Sequence, residues 1–280
     1  MYTQQISKVY VGFSASSSRK VNKASLRGYF VKQSIRPSRV QAVEIEAILE
    51  QTKEKLIFLA EGTFRGASTS KELSNGLLEC VRELEASNSA PVSNLSVDGQ
   101  WELVWSTTAP ERASSPMFWS FSGLTDTLVT PGISNQVFQW TDSFLKPAVG
   151  VKYGNIKQTI SVQDQSLKSE VELMVSPAGL GVLEIAGNVI SEAKLVPTGE
   201  EGVYDVSMLS TRVENSPLPF VGDISFPIET VFAGLTQAHN TVRGTSVERP
   251  DVVQYRTTYV NDNMRISRVA EEVFVYKKKK

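Results

Sequence analysis

A change of hydrophobic period near residue 91 constrains this chain more than any other feature. From Val97 almost to the C-terminus the apolar residues recur every second position, as in half-buried strands. Trp101, Leu103 and Trp105 alternate with Glu102 and Val104, and Ile156, Gln158, Ile160 and Val162 form another run. Leu167, Ser169, Val171, Leu173 and Val175 share one face, opposite Lys168, Glu170 and Glu172. Further strands are expected at 136–142, 182–190, 203–213, 252–260, 263–269 and 272–277, with turns at Pro177-Ala-Gly179, Pro197-Thr-Gly199 and Asn261-Asp-Asn263. Eight or nine short strands at hairpin spacing point to one antiparallel sheet. Closure into a β-barrel would remove the exposed edges of such a sheet, although a sandwich gives nearly the same periodicity.

Before Pro91 the period is helical. Ile45, Ile48, Leu49, Thr52, Leu56 and Leu59 mark one face, which Gly62 is placed to end. After the connection 62–66, Thr69 with Glu72 has capping-box spacing. Leu73, Leu77, Leu78, Val81 and Leu84 then form a second stripe. Two helices joined by a short turn should pack as a hairpin over something apolar.

Two segments break the alternation. One, 110–123, carries Met117, Phe118, Trp119 and Phe121 between Pro110, Pro116 and several serines. The other, 216–235, carries Phe220, Phe226 and Phe232 beside Pro217, Pro219 and Pro227. Prolines exclude a central strand, so both read as long apolar loops. These aromatics either contact a ligand or membrane, or plug the ends of the sheet as core.

Charge is distributed unevenly. The chain of 280 residues has 29 basic and 30 acidic side chains, a net −1. Residues 1–42 hold eight of the basic groups and no acid, and are rich in serine. That composition fits an organelle transit peptide or a disordered basic arm. Lys277 to Lys280 form a basic tail, either solvated or docked on an anionic membrane. The body between is left with 17 basic against 30 acidic groups, which argues against nucleic-acid binding. No apolar run is long enough to span a bilayer as a helix.

Little reads as catalytic or metal-binding. One Cys and one His rule out a disulfide framework and zinc sites built from Cys or several His. Neither a Gly-x-Ser-x-Gly elbow nor a phosphate-binding glycine loop is present. His239 could meet Ser225 or Ser246 only by coincidence, and a lone His outside any motif is usually structural. Cys80, beside the second stripe, reads as a small buried hydrophobe. No cofactor and no metal are expected.

Leu84-Glu-Ala-Ser-Asn88-Ser-Ala-Pro91, followed by Gly99-Gln-Trp101-Glu-Leu-Val-Trp105-Ser-Thr107, resembles the opening of the plastid-lipid-associated (PAP/fibrillin) domain. Near the other end, Tyr259-Val-Asn-Asp262-Asn-Met-Arg265-Ile-Ser-Arg268, then Val273-Phe-Val275, is similar to that family's closing strand pair. Asn261 stands where the family commonly has an acid, and Val269-Ala270-Glu271 replaces its usual Gly-containing turn. The resemblance implies a mainly β, lipocalin-like antiparallel barrel after an N-terminal helical hairpin. Its domain would cover 43–276, helical over 43–88 and β over 97–276, with Trp105, Tyr259, Asp262 and Arg268 as family-motif positions. It further implies residence in the plastid (chloroplast), at stroma-exposed thylakoids or plastoglobules, and association with lipids, carotenoids or quinones. Membrane contact would be peripheral, without a transmembrane span, and a thylakoid protein partner is a second possibility. Gly99, Trp101 and Arg265 would close one barrel end, with a cation lying across the indole; otherwise Trp101 is ordinary core and Arg265 a surface charge.

Overall fold

The computed structural model describes residues 39–87, 94–109, 115–130, 132–134, 136, 151–175, 185–215, 225–226, 228–244 and 251–279. Two helices come first, α1 (Arg39–Ala60) and α2 (Lys71–Ser87). Strand β1 (Gly99–Ser106) and helix α3 (Pro116–Leu128) follow. Then come β2 (Val151–Ser161), β3 (Ser166–Val175), β4 (Ile185–Pro197), β5 (Val203–Glu214) and the two-residue β6 (Ser225–Phe226). Helix α4 (Ile228–Arg243) precedes β7 (Val253–Val260), β8 (Met264–Val269) and β9 (Glu272–Lys278).

Eight strands close into an antiparallel ring in the order β1-β2-β3-β4-β5-β7-β8-β9, and β9 pairs back onto β1. With β6 set aside, every neighbouring pair in the ring except the closing β9–β1 pair is also consecutive in sequence. This is the up-and-down order expected of a lipocalin-like sheet, and mutual pairing leaves the ring no free edge. β6 adds to the far end of β5, at Thr211 and Arg212, beyond the stretch where β5 pairs with β7.

The sheet has two apolar faces. Inside lie Trp101, Leu103, Ile156, Ile160, Leu167, Val171, Leu195, Tyr204, Val206, Tyr255, Phe274 and Tyr276. Outside, Trp105, Tyr259, Met264, Ile266, Val273 and Val275 meet Leu56, Ala60, Leu77, Cys80, Val81 and Leu84 of the helical hairpin. The hairpin therefore covers the outer surface of β1, β7, β8 and β9. A bidentate ion pair pins it there, with Arg268 Nε and Nη2 donating to Glu85 at 2.7 and 2.8 Å. Thr258 Oγ1 donates to the same carboxylate at 2.6 Å.

Strict alternation puts Trp105 on the same face as Trp101 and Leu103, but the structure separates them. The register of β1 on β9 shifts between Leu103 and Trp105, so Trp105 opposes Val275 on the outer face. β7 has a matching shift between Thr257 and Tyr259, which turns Tyr259 outward beside Ile266. Each extra residue exchanges the faces of the strand beyond it. Two large aromatics thereby reach the hairpin.

The helices differ from expectation in detail. Leu56 and Ala60 are buried, but Ile45 and Ile48 are 48% and 55% exposed, so the stripe of α1 is covered only toward its C-terminal half. The cap of α2 is Ser70, whose Oγ accepts from the Leu73 amide at 3.2 Å, whereas Thr69 donates to the Gly66 carbonyl. Gly62 ends α1 in the left-handed region at φ +78.

The largest correction concerns the two aromatic segments, both expected as loops. From Pro116 onward the first forms helix α3, because Pro116 stands in the first helical turn, where its fixed φ fits and its missing N–H is not needed, while residues 110–114 lie outside the described residues. Pro116, Trp119, Ser120 and Leu124 are its buried face. In the second, residues 228–243 form α4, immediately after Pro227. Residues 216–224, the turn at Pro177-Ala-Gly179 and the strand expected at 136–142, apart from Gln136 in a short helical turn, lie outside the described residues.

Two backbone positions yield predictions of opposite sign. Gly66 has φ +103, and a Cβ there would lie 2.1 Å from the Ser106 carbonyl oxygen. Gly66→Ala should cost about 2–3 kcal/mol in urea unfolding. Ala270, in the β8–β9 turn, has φ 49, a region that favours glycine. Ala270→Gly should stabilise by about 0.5–1 kcal/mol in the same assay.

Candidate functional site

Two features of the ring carry chemistry: a polar cage inside it and a cleft at its mouth. The cage forms where inward positions of β1, β2, β7, β8 and β9 meet. Arg265 projects inward from β8 between Met264 and Ile266, which face the hairpin, and it is fully buried. Its guanidinium carbon lies 4.4 Å from the Tyr276 ring centre, 5.0 Å from Trp101 and 5.8 Å from Tyr255. Contacts of this kind contribute about 0.5–1 kcal/mol when exposed and about 2 kcal/mol when desolvated.

Gln158 of β2 completes the cage. Its Oε1 accepts from Arg265 Nη2 and, at 3.1 Å, from the Tyr255 hydroxyl. Among the described residues, Arg265 Nε and Nη1 and Gln158 Nε2 have no hydrogen-bond partner. The Tyr276 hydroxyl also lacks one at bonding geometry, although Tyr255 and Gln158 adjoin it. A guanidinium does not deprotonate inside a protein, so its charge persists in the interior.

The family resemblance grouped Gly99, Trp101 and Arg265 at one end of the sheet, and the structure places Arg265 against the Trp101 indole and Gly99 beside Lys278, which lies over the same ring. Trp101 Nε1 donates to the Val97 carbonyl at 2.8 Å, which fixes the ring. Lys278 Nζ lies 5.1 Å from the Trp101 ring centre, and a Cβ on Gly99 would approach Lys278 Cε at 3.3 Å. β9 thus runs on into the basic tail: Lys277 pairs with Glu102 at 3.5 Å, and the Lys279 amide donates to the Gln100 carbonyl. Sequence reasoning missed Gln158, Tyr255 and Tyr276. The signal was a polar or hydroxylated residue at an inward position of an otherwise apolar alternating run.

At the mouth, α3 packs against β4, β5, β7 and α4. Its Trp119, 4% exposed, stacks on Tyr255 at 5.3 Å and on Phe274 at 5.8 Å. The same Trp119, with Phe118, Ser122, Gly123 and Asp126, lines a cleft of about 390 Å³ completed by Val253, Val269 and the turn Ala270–Glu272. The wall is apolar toward the interior, and Asp126, Glu271 and Glu272 add carboxylates to the lining. Trp119 is therefore shared by cleft and core, two ring contacts from Arg265.

The other sequence candidates are dispersed. Met117 and Phe121 of α3 are half-buried. Phe220 lies outside the described residues, as do the side chains of Phe226 and Phe232; the Phe226 backbone pairs with Thr211. Trp105, Tyr259 and Arg268 serve the hairpin interface, and Asp262 is exposed in the β7–β8 turn. There Asn261 Oδ1 accepts from the Asn263 and Met264 amides at 3.1 and 2.8 Å, a role an acid would fill equally. His239 is on α4, and among the described residues its Nδ1 has no hydrogen-bond partner. The Ser225 side chain and Ser246 lie outside the described residues. Cys80 is buried, and burial pushes its thiol up. Among the described residues there is no metal-binding cluster, and no helix is long and apolar enough to cross a membrane.

Burial also pushes up three interior phenols, Tyr204 to about 12 and Tyr255 and Tyr276 above their ordinary value of 10, with Asp98 and Tyr255 next in effect on Tyr204 and Tyr276 respectively. The unfolded chain releases these protons near pH 10 while the folded chain keeps them. Stability should then be full below pH 10 and fall as pH rises above it. Phenolate absorbance should consequently rise for these three tyrosines together with loss of structure, in one cooperative alkaline step. Their titration near pH 10 in a protein still folded would contradict this.

No curated protein and no solved structure matches the chain significantly. A family model does. The PAP_fibrillin model matches residues 50–277, which span the C-terminal half of α1, all of α2 and every strand of the ring, short of the last residue of β9. With an up-and-down ring after a helical hairpin, and with that match covering most of its length, the chain belongs to the PAP/fibrillin family of plastid-lipid-associated proteins.

Proposed function

We propose that this protein is a non-enzymatic carrier or shield for an apolar plastid molecule, a lipid, carotenoid or quinone, at thylakoids or plastoglobules. The observation that carries the reading is the cleft of about 390 Å³ at the mouth of the ring, walled by Phe118, Trp119, Val253 and Val269. A pocket of that size lies within the range of small-molecule sites, and its apolar wall rewards burial of apolar ligand surface at about 25 cal/mol per Å². Phe118 at the cleft and the half-buried Met117 and Phe121 on the same helix supply peripheral contact with a membrane. Residues 1–42, rich in serine and arginine and free of acids, are read as the transit segment.

A second reading, a structural subunit or assembly factor of a thylakoid or isoprenoid-synthesis complex, is favoured by a different surface. Ile45, Ile48 and Phe58 of α1 are 48%, 55% and 72% exposed. One stoichiometric crosslinked partner in intact thylakoids would support it, and migration as a free monomer would sink it.

The first reading is tested by purifying the protein natively from plastid membranes and extracting it with solvent. A stoichiometric lipid, quinone or carotenoid is expected. Phe118→Asp should lower the recovered amount several-fold while leaving the circular-dichroism spectrum unchanged. An empty extract, together with no binding to liposomes, would refute the carrier role.

A further inference from the structure

We propose that Arg265 is an anion-binding centre, and that the ligand is a long-chain monocarboxylate whose head group reaches the cage while its apolar tail lies toward Trp119 and the cleft. This deepens the carrier reading and rests on it.

Three observations lead to the head group. Arg265 is fully buried, its positive charge is permanent, and no described carboxylate pairs with it. An uncompensated buried charge is among the most costly arrangements in a protein, and aromatic faces offset it only in part. The rings of Trp101, Tyr255 and Tyr276 crowd around the guanidinium, yet Nε and Nη1 keep free N–H groups. Gln158 Nε2 adds a third unpaired donor group, and the Tyr276 hydroxyl an adjoining one. A set of donors around one cation is what a carboxylate accepts from, since each of its oxygens takes two hydrogen bonds.

Charge selects a monoanion over a phosphate. Arg265 is the one buried cation of the cage among the described residues, since Lys278 at the Trp101 ring is exposed to solvent, and a single negative charge neutralises it. The carboxylates of Asp126, Glu271 and Glu272 in the cleft lining would oppose a dianion more strongly than a monoanion carrying an apolar tail. Trp119 joins the two regions, because it lines the cleft and stacks on Tyr255, whose hydroxyl bonds Gln158.

Equilibrium binding of cis-parinaric acid, a fluorescent long-chain fatty acid, and of its methyl ester to the delipidated full chain tests the proposal. The acid should bind about tenfold tighter or more, since only it makes charge-assisted hydrogen bonds. Arg265→Gln should bring the acid down to the affinity of the ester and leave the ester unchanged. The comparison within the unmutated protein stands even where that variant fails to fold. Equal binding of acid and ester would overturn the proposal and leave Arg265 a structural brace satisfied by water, with the carrier reading intact. Stronger displacement of the probe by dodecyl phosphate than by dodecanoate would also overturn it, by assigning the cage to phosphate. Failure of both probes to bind would overturn it too; the native extract then decides the carrier reading separately, since a recovered neutral lipid preserves that reading and an empty extract does not.

Discussion

Pairing of the first strand with the last holds this architecture together. β1 and β9 are separated by most of the chain, yet their hydrogen bonds turn a meander with two open edges into a ring with none. The helical hairpin and the cage both attach to that seam. The helical hairpin covers its outer face, where Trp105 and Val275 lie opposite each other, and the Arg268–Glu85 pair fastens the hairpin beside it. On the inner face Trp101, Leu103, Phe274 and Tyr276 from the same two strands contribute to the core and the cage. Contacts this distant in sequence form late and slowly, so local hairpins such as β2–β3 and β8–β9 are expected to precede ring closure.

Closure also creates a problem that the interior must solve. A sheet that shuts around Arg265 takes a permanent charge out of water. The surrounding rings and Gln158 stabilise it only partly, since its Nε and Nη1 have no hydrogen-bond partner among the described residues. The mouth is built differently. There a helix, not a strand, fills the space, and one indole faces both solvent cleft and core. The closed ring holds the cage, and α3 stands between that cage and the cleft through Trp119.

The fold was legible where the period was unambiguous. Strands β1 to β5 and β7 to β9 follow from alternation and turn residues, and the helical hairpin from its two stripes. The failures have physical causes. Trp105 and Tyr259 sit beyond register shifts, and a bulge leaves no trace in a pattern that continues to alternate polar and apolar. The aromatic segment at Pro116 was read as a loop because proline was weighed as a strand breaker, although the first turn of a helix tolerates it. Spacing of Pro116, Trp119, Ser120 and Leu124 was the missed signal. Ile45 and Ile48 continue the stripe of α1 beyond the part that packs on the ring, and periodicity cannot say where a partner surface ends. Of the site, Trp101 and Arg265 were legible through a family resemblance. Gln158 was not, since one polar residue in an apolar run is equally a surface position.

The carrier role requires an apolar molecule to lie against the indole that joins cleft to core. Quenching of intrinsic tryptophan fluorescence by a brominated long-chain fatty acid reports that contact most directly. Among the described tryptophans Trp119 lines the cleft, whereas Trp105 is shielded beneath the hairpin and Trp101 lies at the far side of the cage; Trp140, outside the described residues, is replaced by Phe throughout the experiment. Saturable quenching that is largely abolished by Trp119→Phe, with the protein still folded, is the predicted result. Quenching unaffected by that substitution, or none at all, would contradict binding at the mouth of the ring.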